Sequence, residues 1–508
     1  MSVIHEAIII GSGFGGQIAA INLRKKGIED FIILERRAFV GGTWSQNTYP
    51  GAAVDVHSPL YSISSEPYDW TQMFAEQDEL REYTNHVIDK HHLREKTRVN
   101  SNVTKVLWND EQARWEISVE GQDKTLSCKF LINASGPLST PVIPNFKGRE
   151  RFKGAAFHTN NWDQSYNYTG KKVAIIGSGA SAAQVIPAIA PDVAELHVFQ
   201  RTPHWVMPRP DHVFSAWLRA LLRNKWVYKF LRVLIYWILE SRVVGFKYSK
   251  AMLDILGTRA AKKNLERQIP DPELRKKVTP DFTLGCKRVI LSNTLYPAYC
   301  RENVTLHDKH DGVKEITERG IVSMNGTEHE LDLIIYSTGY DATDGVISYP
   351  VIGHNGITLA DVWADFPRAY LGTTAPGFPN LFIVTGPNTG IGHTSALFII
   401  EAQMQYIMRA IDYTRKTNST TIEVTAEAED KYTHKIHQEM AKTVWQTGGC
   451  NSWYKSKSGK VIAMFPGFSF TFRRWAKHFK LQDHIFGSRA KHAAESPSES
   501  QRETASAV

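Results

Sequence analysis

The chain has 508 residues, enough for two or three domains. With 42% hydrophobic and 22% charged residues it falls among globular rather than disordered proteins. The net charge of +8 suits anionic ligands or a membrane surface, but no long Lys/Arg run or nucleic-acid motif accompanies it, so nucleic acid is not an expected partner.

Four cysteines, Cys128, Cys286, Cys300 and Cys450, are scattered without a C-x-x-C. This predicts no disulfide framework, no zinc site and no redox dithiol, and a reducing, cytoplasmic setting. The N-terminus enters a strand within a few residues and carries no signal-peptide pattern.

In chain order, residues 7–10 (AIII) read as a buried parallel strand and run straight into Gly11-Ser-Gly13-Phe-Gly-Gly16. In such a strand–turn–helix unit the first Gly makes the turn and the second lets backbone approach a pyrophosphate. The third lets helix and strand pack closely. The diphosphate rests on the helix N-terminus, where unpaired N–H groups and the helix dipole favour negative charge. The next strand, residues 31–34 (FIIL), ends in Glu35, a carboxylate able to accept both ribose hydroxyls. Residues 131–136 (LINASG) end a further strand, and the Pro/Gly-rich stretch 137–148 reads as a linker.

A second unit follows. Residues 173–176 (VAII) lead into Gly177-Ser-Gly179-Ala-Ser181-Ala182, and the matching strand, residues 196–199 (LHVF), ends in Gln200-Arg201-Thr202. No acid stands there; an Arg fork would bind a 2′-phosphate that a carboxylate would repel. The first site therefore prefers a dinucleotide with a free 2′-hydroxyl, such as FAD, and the second prefers NADPH. Two unlike dinucleotide sites imply hydride passing between cofactors.

Residues 213–280 turn helical and rich in Leu, Trp, Tyr, Arg and Lys, which predicts a helical insertion in the second domain. Within it, the longest uncharged run, residues 233–239, is too short to span a bilayer. Its charges do not separate cleanly from its apolar residues, so a cap over a substrate site is the leading reading and membrane-surface contact the alternative. Residues 332–339 (DLIIYSTG) read as the chain returning to the first domain. Residues 381–386 (LFIVTG) end a strand, a loop reaches His393, and Thr394 or Ser395 caps a helix over 396–410 whose N-terminus could face a flavin. His434 and His437 on a polar helix read as solvated side chains, and no metal is expected. Residues 487–508 read as a disordered tail.

The fold class is thus α/β, with two Rossmann-like dinucleotide-binding domains and a helical insertion in the second. The expected division is an FAD-binding domain over 1–145 and 335–486, interrupted by an NADPH-binding domain over 146–334.

Residues 152–163 (FKGAAFHTNNWD) resemble the F-x-G-x-x-x-H-x-x-x-W-[PD] fingerprint of type I Baeyer–Villiger monooxygenases through Phe152, Gly154, His158 and Trp162. Residues 42–55 (GTWSQNTYPGAAVD) resemble that family's second motif, G-x-W-x-x-x-x-[YF]-P-G-x-x-x-D, which includes Trp44, Tyr49 and Asp55. The likeness runs from about residue 5 to about residue 475. It implies that NADPH reduces FAD, that the reduced flavin takes up O2 as a C4a-peroxide, and that a ketone becomes an ester or lactone, with sulfides as further substrates. It places Arg288, in the segment 285–288 (GCKR), at the peroxide, with Asp55 orienting it. Lys287 joins Arg201 and Thr202 on the 2′-phosphate, while Thr43, Trp44, Tyr49 and Asp55 border the flavin.

Without the resemblance, Lys287 and Arg288 read as a solvated surface pair and Asp55 as a cap or turn residue. By spacing alone, His158 and Trp162 could share one helical face. Flavin-containing monooxygenases, which oxidise nitrogen or sulfur or hydroxylate long-chain substrates, usually carry Tyr or Phe where Trp162 stands. A disulfide reductase would need a dithiol that the cysteine spacing denies. An NADPH-sensing flavoprotein without oxygenation is the reading from another class. The sequence specifies neither which ketone is accepted nor an oligomeric state.

Overall fold

The computed structural model describes residues 3–341 and 347–487; the predicted tail lies, beyond Gly487, outside the described residues. Strand β1 (Ile4–Ile10) is buried along its last four residues and leads through the glycine turn into helix α1 (Phe14–Lys25). The turn is forced by packing. A Cβ on Gly11, at φ +102°, would meet the Ala134 carbonyl oxygen at 2.5 Å, and one on Gly16 would meet the Gly11 carbonyl oxygen at 2.0 Å. β2 (Phe31–Leu34) runs parallel to β1 with Ala7 opposite Phe31. After the short α2 (Thr43–Gln46) and the longer α3 (Gln77–Lys90) come β3 (Thr97–Arg98), β4 (Val103–Asn109), β5 (Arg114–Val119) and β6 (Leu126–Asn133). β5 alternates buried and half-buried residues, the period-two signature of a strand with one face in the core.

The second sheet begins with β7 (Ala155–His158) and β8 (Lys172–Ile176), then α4 (Ala180–Ile189), β9 (Glu195–Phe199) and the short β10 (Val206–Met207). Helices α5 (Ala216–Leu222), α6 (Lys225–Glu240), α7 (Lys250–Leu253), α8 (Arg259–Gln268) and α9 (Pro272–Val278) follow. β11 (Ile290–Leu291) pairs in parallel with β10, so the helices form one excursion between two strands of a ribbon. α10 (Leu295–Tyr299) and β12 (Val304–His307) precede a small antiparallel sheet of β13 (Val313–Ile316), β14 (Gly320–Ser323) and β15 (Glu328–Glu330). β16 (Leu333–Tyr336) completes the parallel order β12-β9-β8-β16-β7.

Two expectations are corrected here. The strand expected to return to the first domain, β16, lies between β8 and β7 of the second sheet. An apolar run ending in glycine fixes a buried strand but not which sheet takes it, and the return comes later. His158 and Trp162 do not share a helical face: His158 ends β7, a 3₁₀ turn (Thr159–Asn161) follows, and Trp162 comes after it.

The chain then supplies β17 (Val351–Ile352), α11 (Leu359–Val362) and β18 (Leu381–Ile383). β17 joins the first sheet in the order β17-β4-β5-β6-β1-β2-β3, and β18 also pairs with β6. α12 (Ala396–Lys416), β19 (Thr421–Val424), α13 (Ala426–Met440), α14 (Val444–Thr447), α15 (Ser469–Lys477) and β20 (His484–Gly487) close the fold. Ser395 caps α12, its Oγ accepting from Leu397 N. α12 buries one side against α1 and α15 in the main core. Among the described residues, no helix is long and apolar enough to cross a membrane.

The absence of a disulfide is also corrected: Cys286 and Cys450 are bonded across 164 residues, a pairing that local spacing does not reveal. The bond ties the segment carrying Lys287 and Arg288 to the loop after α14. Cys128 and Cys300 are free.

Candidate active site

Two cavities matter. The first is lined by Gly11, Ser12, Gly13, Glu35, Thr43 and Trp44, with Tyr61, Asn160 and Ala396 completing it. Of the residues expected at the flavin, Gly11, Gly13, Glu35, Thr43 and Trp44 therefore face one space. Glu35 is buried; its Oε2 accepts from Ser12 N at 3.0 Å and Ser12 Oγ at 2.7 Å. The loop that carries Thr43 and Trp44 lies hard against the glycine turn: a Cβ on Gly42, at φ +64°, would meet Gly13 Cα at 2.6 Å. This is a cradle that only glycines leave open, and it fits a dinucleotide pyrophosphate. Ala396, the first residue of α12, borders the same cavity, so the helix begins there as expected. Gly16 and Tyr49 do not line it. Gly16 packs helix on strand, and the buried Tyr49 donates from its hydroxyl to Gln184 Oε1 at 2.9 Å, on the first helix of the second sheet. Burial pushes the Tyr49 hydroxyl up to about 12, so it stays a neutral donor.

The second cavity is a groove bordered by Asp55, Arg288, Gly51, Gln184 and the start of α4 at Ala180. Asp55 and Arg288, 233 residues apart, meet here. Arg288 Nε donates to Asp55 Oδ2 at 2.6 Å and Nη2 donates to Oδ1, a bidentate pair. Asp55, more than burial, sets the guanidinium's titration and raises it above the usual arginine range. The Arg288 side chain keeps 49% exposure, so the cation is fixed on one edge and open on the other.

Around this pair lie two tyrosines that the sequence did not flag. Tyr61 accepts from Trp44 Nε1 at 3.2 Å, and its hydroxyl titration is raised, first by burial and further by Asp55. Tyr454 lies against the Arg288 backbone and is pushed up to about 12 by burial. Neither stands in a recognisable motif, and only the pairing of distant segments brings them in. Gln184 is the third unforeseen residue: its Nε2 donates to the Ala53 carbonyl at 2.8 Å while its Oε1 holds Tyr49, stitching the Tyr49–Asp55 segment to α4. Its signal was its place on the helix after the second glycine motif.

At the second nucleotide motif, a Cβ on Gly177 would meet the Ser337 carbonyl oxygen at 2.1 Å, while nothing crowds Gly179. Ser181 neighbours the Tyr49 hydroxyl, and Ala182 is buried in the helix–sheet packing. Thr202 accepts from Ser178 Oγ through its carbonyl at 2.8 Å. Lys287 is half-buried and its titration is lowered, first by burial and next by the Arg201 cation, against a smaller opposing pull from Asp281. Two cations thus share a site at the end of β9, a cost in repulsion that an anion would relieve. Beneath them His204 is pushed down to about 4 by burial and by Lys287.

The fingerprint residues are placed structurally. A Cβ on Gly154 would meet the Asp332 carbonyl oxygen at 2.6 Å, which lets β7 lie against β16. Phe152 packs on the core beside it. His158 is buried, accepts from Asn160 N at 3.0 Å through Nδ1, and meets the Tyr340 ring edge-on at 5.7 Å. Trp162 packs edge-on against Phe157 at 5.0 Å.

The sequence profile of the pyridine nucleotide-disulphide oxidoreductase family matches residues 8–235. A Baeyer–Villiger monooxygenase of Pseudomonas aeruginosa is 42% identical over 477 residues, covering 93% of this chain and 90% of its own length. One of Streptomyces coelicolor is 42% identical over 491 residues, covering 95% and 93%. Among solved structures, OTEMO in complex with FAD and NADP superposes with a TM-score of 0.86 at 26% identity, covering 96% of this chain and all of that one. Oxidised steroid monooxygenase bound to NADP gives a TM-score of 0.86 at 28% identity with the same coverage. On this identity along nearly its whole length, the chain belongs to the family of the Baeyer–Villiger monooxygenases.

Proposed function

We propose that the protein is an FAD- and NADPH-dependent Baeyer–Villiger monooxygenase that inserts one oxygen of O2 beside a ketone carbonyl to give an ester or lactone. The observation that carries this reading is the Asp55–Arg288 pair, open on one edge to the groove beside the first cavity. Gly11, Gly13, Glu35, Thr43 and Trp44 would hold FAD; Gly177, Gly179, Ser181, Ala182, Arg201, Thr202 and Lys287 would hold NADPH. When bound, the flavin supplies activated oxygen at the expense of NADPH and O2. Arg288 would present a fixed positive charge to the negative charge that grows on the oxygen of the ketone carbonyl. Asp55 holds that guanidinium in one pose, so no reorientation is needed as charge develops. Trp44 and Tyr61, on the walls of the first cavity, would help keep water from it, which the fate of a reactive oxygen donor demands. The FAD part would comprise residues 1–145 together with the chain after β16, the NADPH part lying between.

The test is a ketone panel with product identification. Arg288→Ala should still let NADPH reduce the flavin, while ester formation falls by about 10²–10³-fold, the usual loss when one charge-stabilising donor is removed. Undiminished ester formation would overturn the assignment. Sulfide oxidation on the same site is expected as a side activity; sulfoxide with no ester from any ketone would favour a heteroatom-oxidising flavin monooxygenase.

A second reading concerns the membrane surface. α6 buries Tyr228, Ile235 and Leu239 against the first part of the fold, with Arg232 donating to the Pro59 carbonyl and Tyr236 stacking on Phe398 at 4.9 Å. Its other side leaves Trp226 77%, Phe230 70%, Trp237 55% and Ile238 56% exposed, near the exposed Trp217. Lys225 and Lys229 stand on the same helix. Indole and phenyl rings with flanking lysines suit the interface of an anionic bilayer. We infer that this face rests on lipid. Flotation with anionic vesicles at low salt should retain the protein, and Trp226→Ala with Phe230→Ala should release it. Recovery of the unaltered protein wholly in the soluble fraction would end this reading.

A further inference from the structure

Three histidines from three strands converge on the outer face of the second sheet. His197 on β9 and His307 on β12 project from the same side, since His307 pairs with Phe199, two residues on from His197. His329 on β15 reaches them from the small antiparallel sheet. One ring nitrogen from each lies within 4.8 Å of the other two. His197 Nδ1 and His307 Nε2 are 3.1 Å apart. A tetrahedral zinc ion with bonds of about 2.0–2.1 Å to imidazole would separate its nitrogens by about 3.3 Å, so the 3.1 Å pair would open slightly and the wider pairs would close by up to about 1.5 Å.

The three rings pack against one another with centroids 4.7–5.4 Å apart, and two carboxylates and an unpartnered nitrogen add the features of a ligand set. Asp311 Oδ2 accepts from His307 Nδ1 at 2.7 Å, which fixes the tautomer and turns the His307 Nε2 lone pair toward the other two rings. Glu195 Oε2 lies 3.5 Å from His197 Nε2, so in the tautomer that frees Nδ1 as a ligand the proton sits on Nε2 and faces a carboxylate. His329 Nε2 is buried and has no hydrogen-bond partner, the state of a donor atom whose counterpart is missing. His307 itself is buried and stacked on Phe199 at 4.4 Å.

We propose that His197, His307 and His329 form a zinc site with three imidazole ligands and an open fourth position for solvent. Imidazole donors select zinc and its transition-metal neighbours over magnesium and calcium, which prefer oxygen. The ion would clasp the small antiparallel sheet to β9 and β12. It would brace the end of β9, where the Gln200 N–H donates to the His307 carbonyl at 2.8 Å and Arg201 follows. The site is separate from both cavities described above.

The test uses the full-length, flavin-loaded protein stripped with chelator and desalted. Calorimetric titration with zinc chloride should show one ion bound per chain, and cobalt should give the visible absorption of a tetrahedral nitrogen-ligated ion. His329→Ala, on the small sheet, and His307→Ala should abolish that site. Asp311→Asn should weaken it by about 10–100-fold, as loss of an orienting carboxylate does. His434→Ala with His437→Ala should leave it unchanged. Absence of zinc uptake by the unaltered protein, or equal affinity in His329→Ala, would overturn the proposal.

Discussion

A guanidinium gripped at two nitrogens by one carboxylate has a defined direction, and a guanidinium without such a partner does not. Arg288 is the first kind. Arg201 is the second: among the described residues no carboxylate is paired with it, and it shares its site with Lys287, another cation. The two arginines should therefore fail differently. Arg201→Ala removes a charge-assisted contact worth about 1.5–3 kcal/mol at full strength, discounted here because Arg201 is exposed. The KM for NADPH should rise by about tenfold, while that for NADH, which lacks the 2′-phosphate, should change less than threefold. Steady-state kinetics with both nucleotides decides it; an equal rise for both would remove Arg201 from phosphate recognition. The sequence exposed Arg201 by position, two residues past the strand end that the glycine unit predicts. It exposed Arg288 only through resemblance, because nothing local distinguishes a clamped arginine from a solvated one.

At the level of elements, α6 is tied at its C-terminal end by one buried, hydrogen-bonded carboxylate. Glu240, at its C-terminal end, accepts from Ser469 N at 2.5 Å and Ser469 Oγ at 2.7 Å, and lies 3.2 Å from His393 Nε2. Both side chains are buried, at 1% and 0% exposure. This joins α6 to the start of α15 and to the loop that leads into α12. Glu240→Ala would leave its buried partners unpaired, at a cost of about 1–3 kcal/mol. The expected outcome is a lower unfolding temperature and faster proteolytic cutting between residues 225 and 280, with Glu240→Gln milder. Wild-type stability in Glu240→Ala would show that α6 is anchored elsewhere. The helices of this region were legible from composition, and the strands from their apolar runs. What covered them was not: α6 has one face that docks and one that stays open, and both are rich in Trp, Tyr, Leu and Ile. The same limit misplaced β16, whose residues LIIY suit either sheet equally.

The whole molecule is two sheets sewn together along a seam of side chains drawn from both. Tyr49 with Gln184, Gln46 with the Asn160 carbonyl, and Arg37 with Asn160 at 3.2 Å all cross it. Both nucleotide units could be read from sequence because each is local, completed within about 30 residues; the seam could not, because its partners are more than 100 residues apart. Two buried imidazoles make the folded molecule sensitive to acid. His57 lies against the Phe74 ring at 4.7 Å and is pushed down to about 4, first by burial, then by Arg242 and His212, with Asp211 opposing. His204, beneath Lys287, is held down to about 4 for the same first reason. An unfolded chain would protonate both imidazoles near 6.5. Between about 6.5 and 4 the unfolded state therefore binds more protons than the folded one. The stability these groups contribute is present above that window and is lost as pH falls through it. The unfolding midpoint should drop progressively over that range, and the drop should be shallower in His204→Gln and His57→Gln, which cannot take up the proton. A midpoint that stays flat from neutrality to pH 4 would mean that these two rings are already solvated in the folded protein.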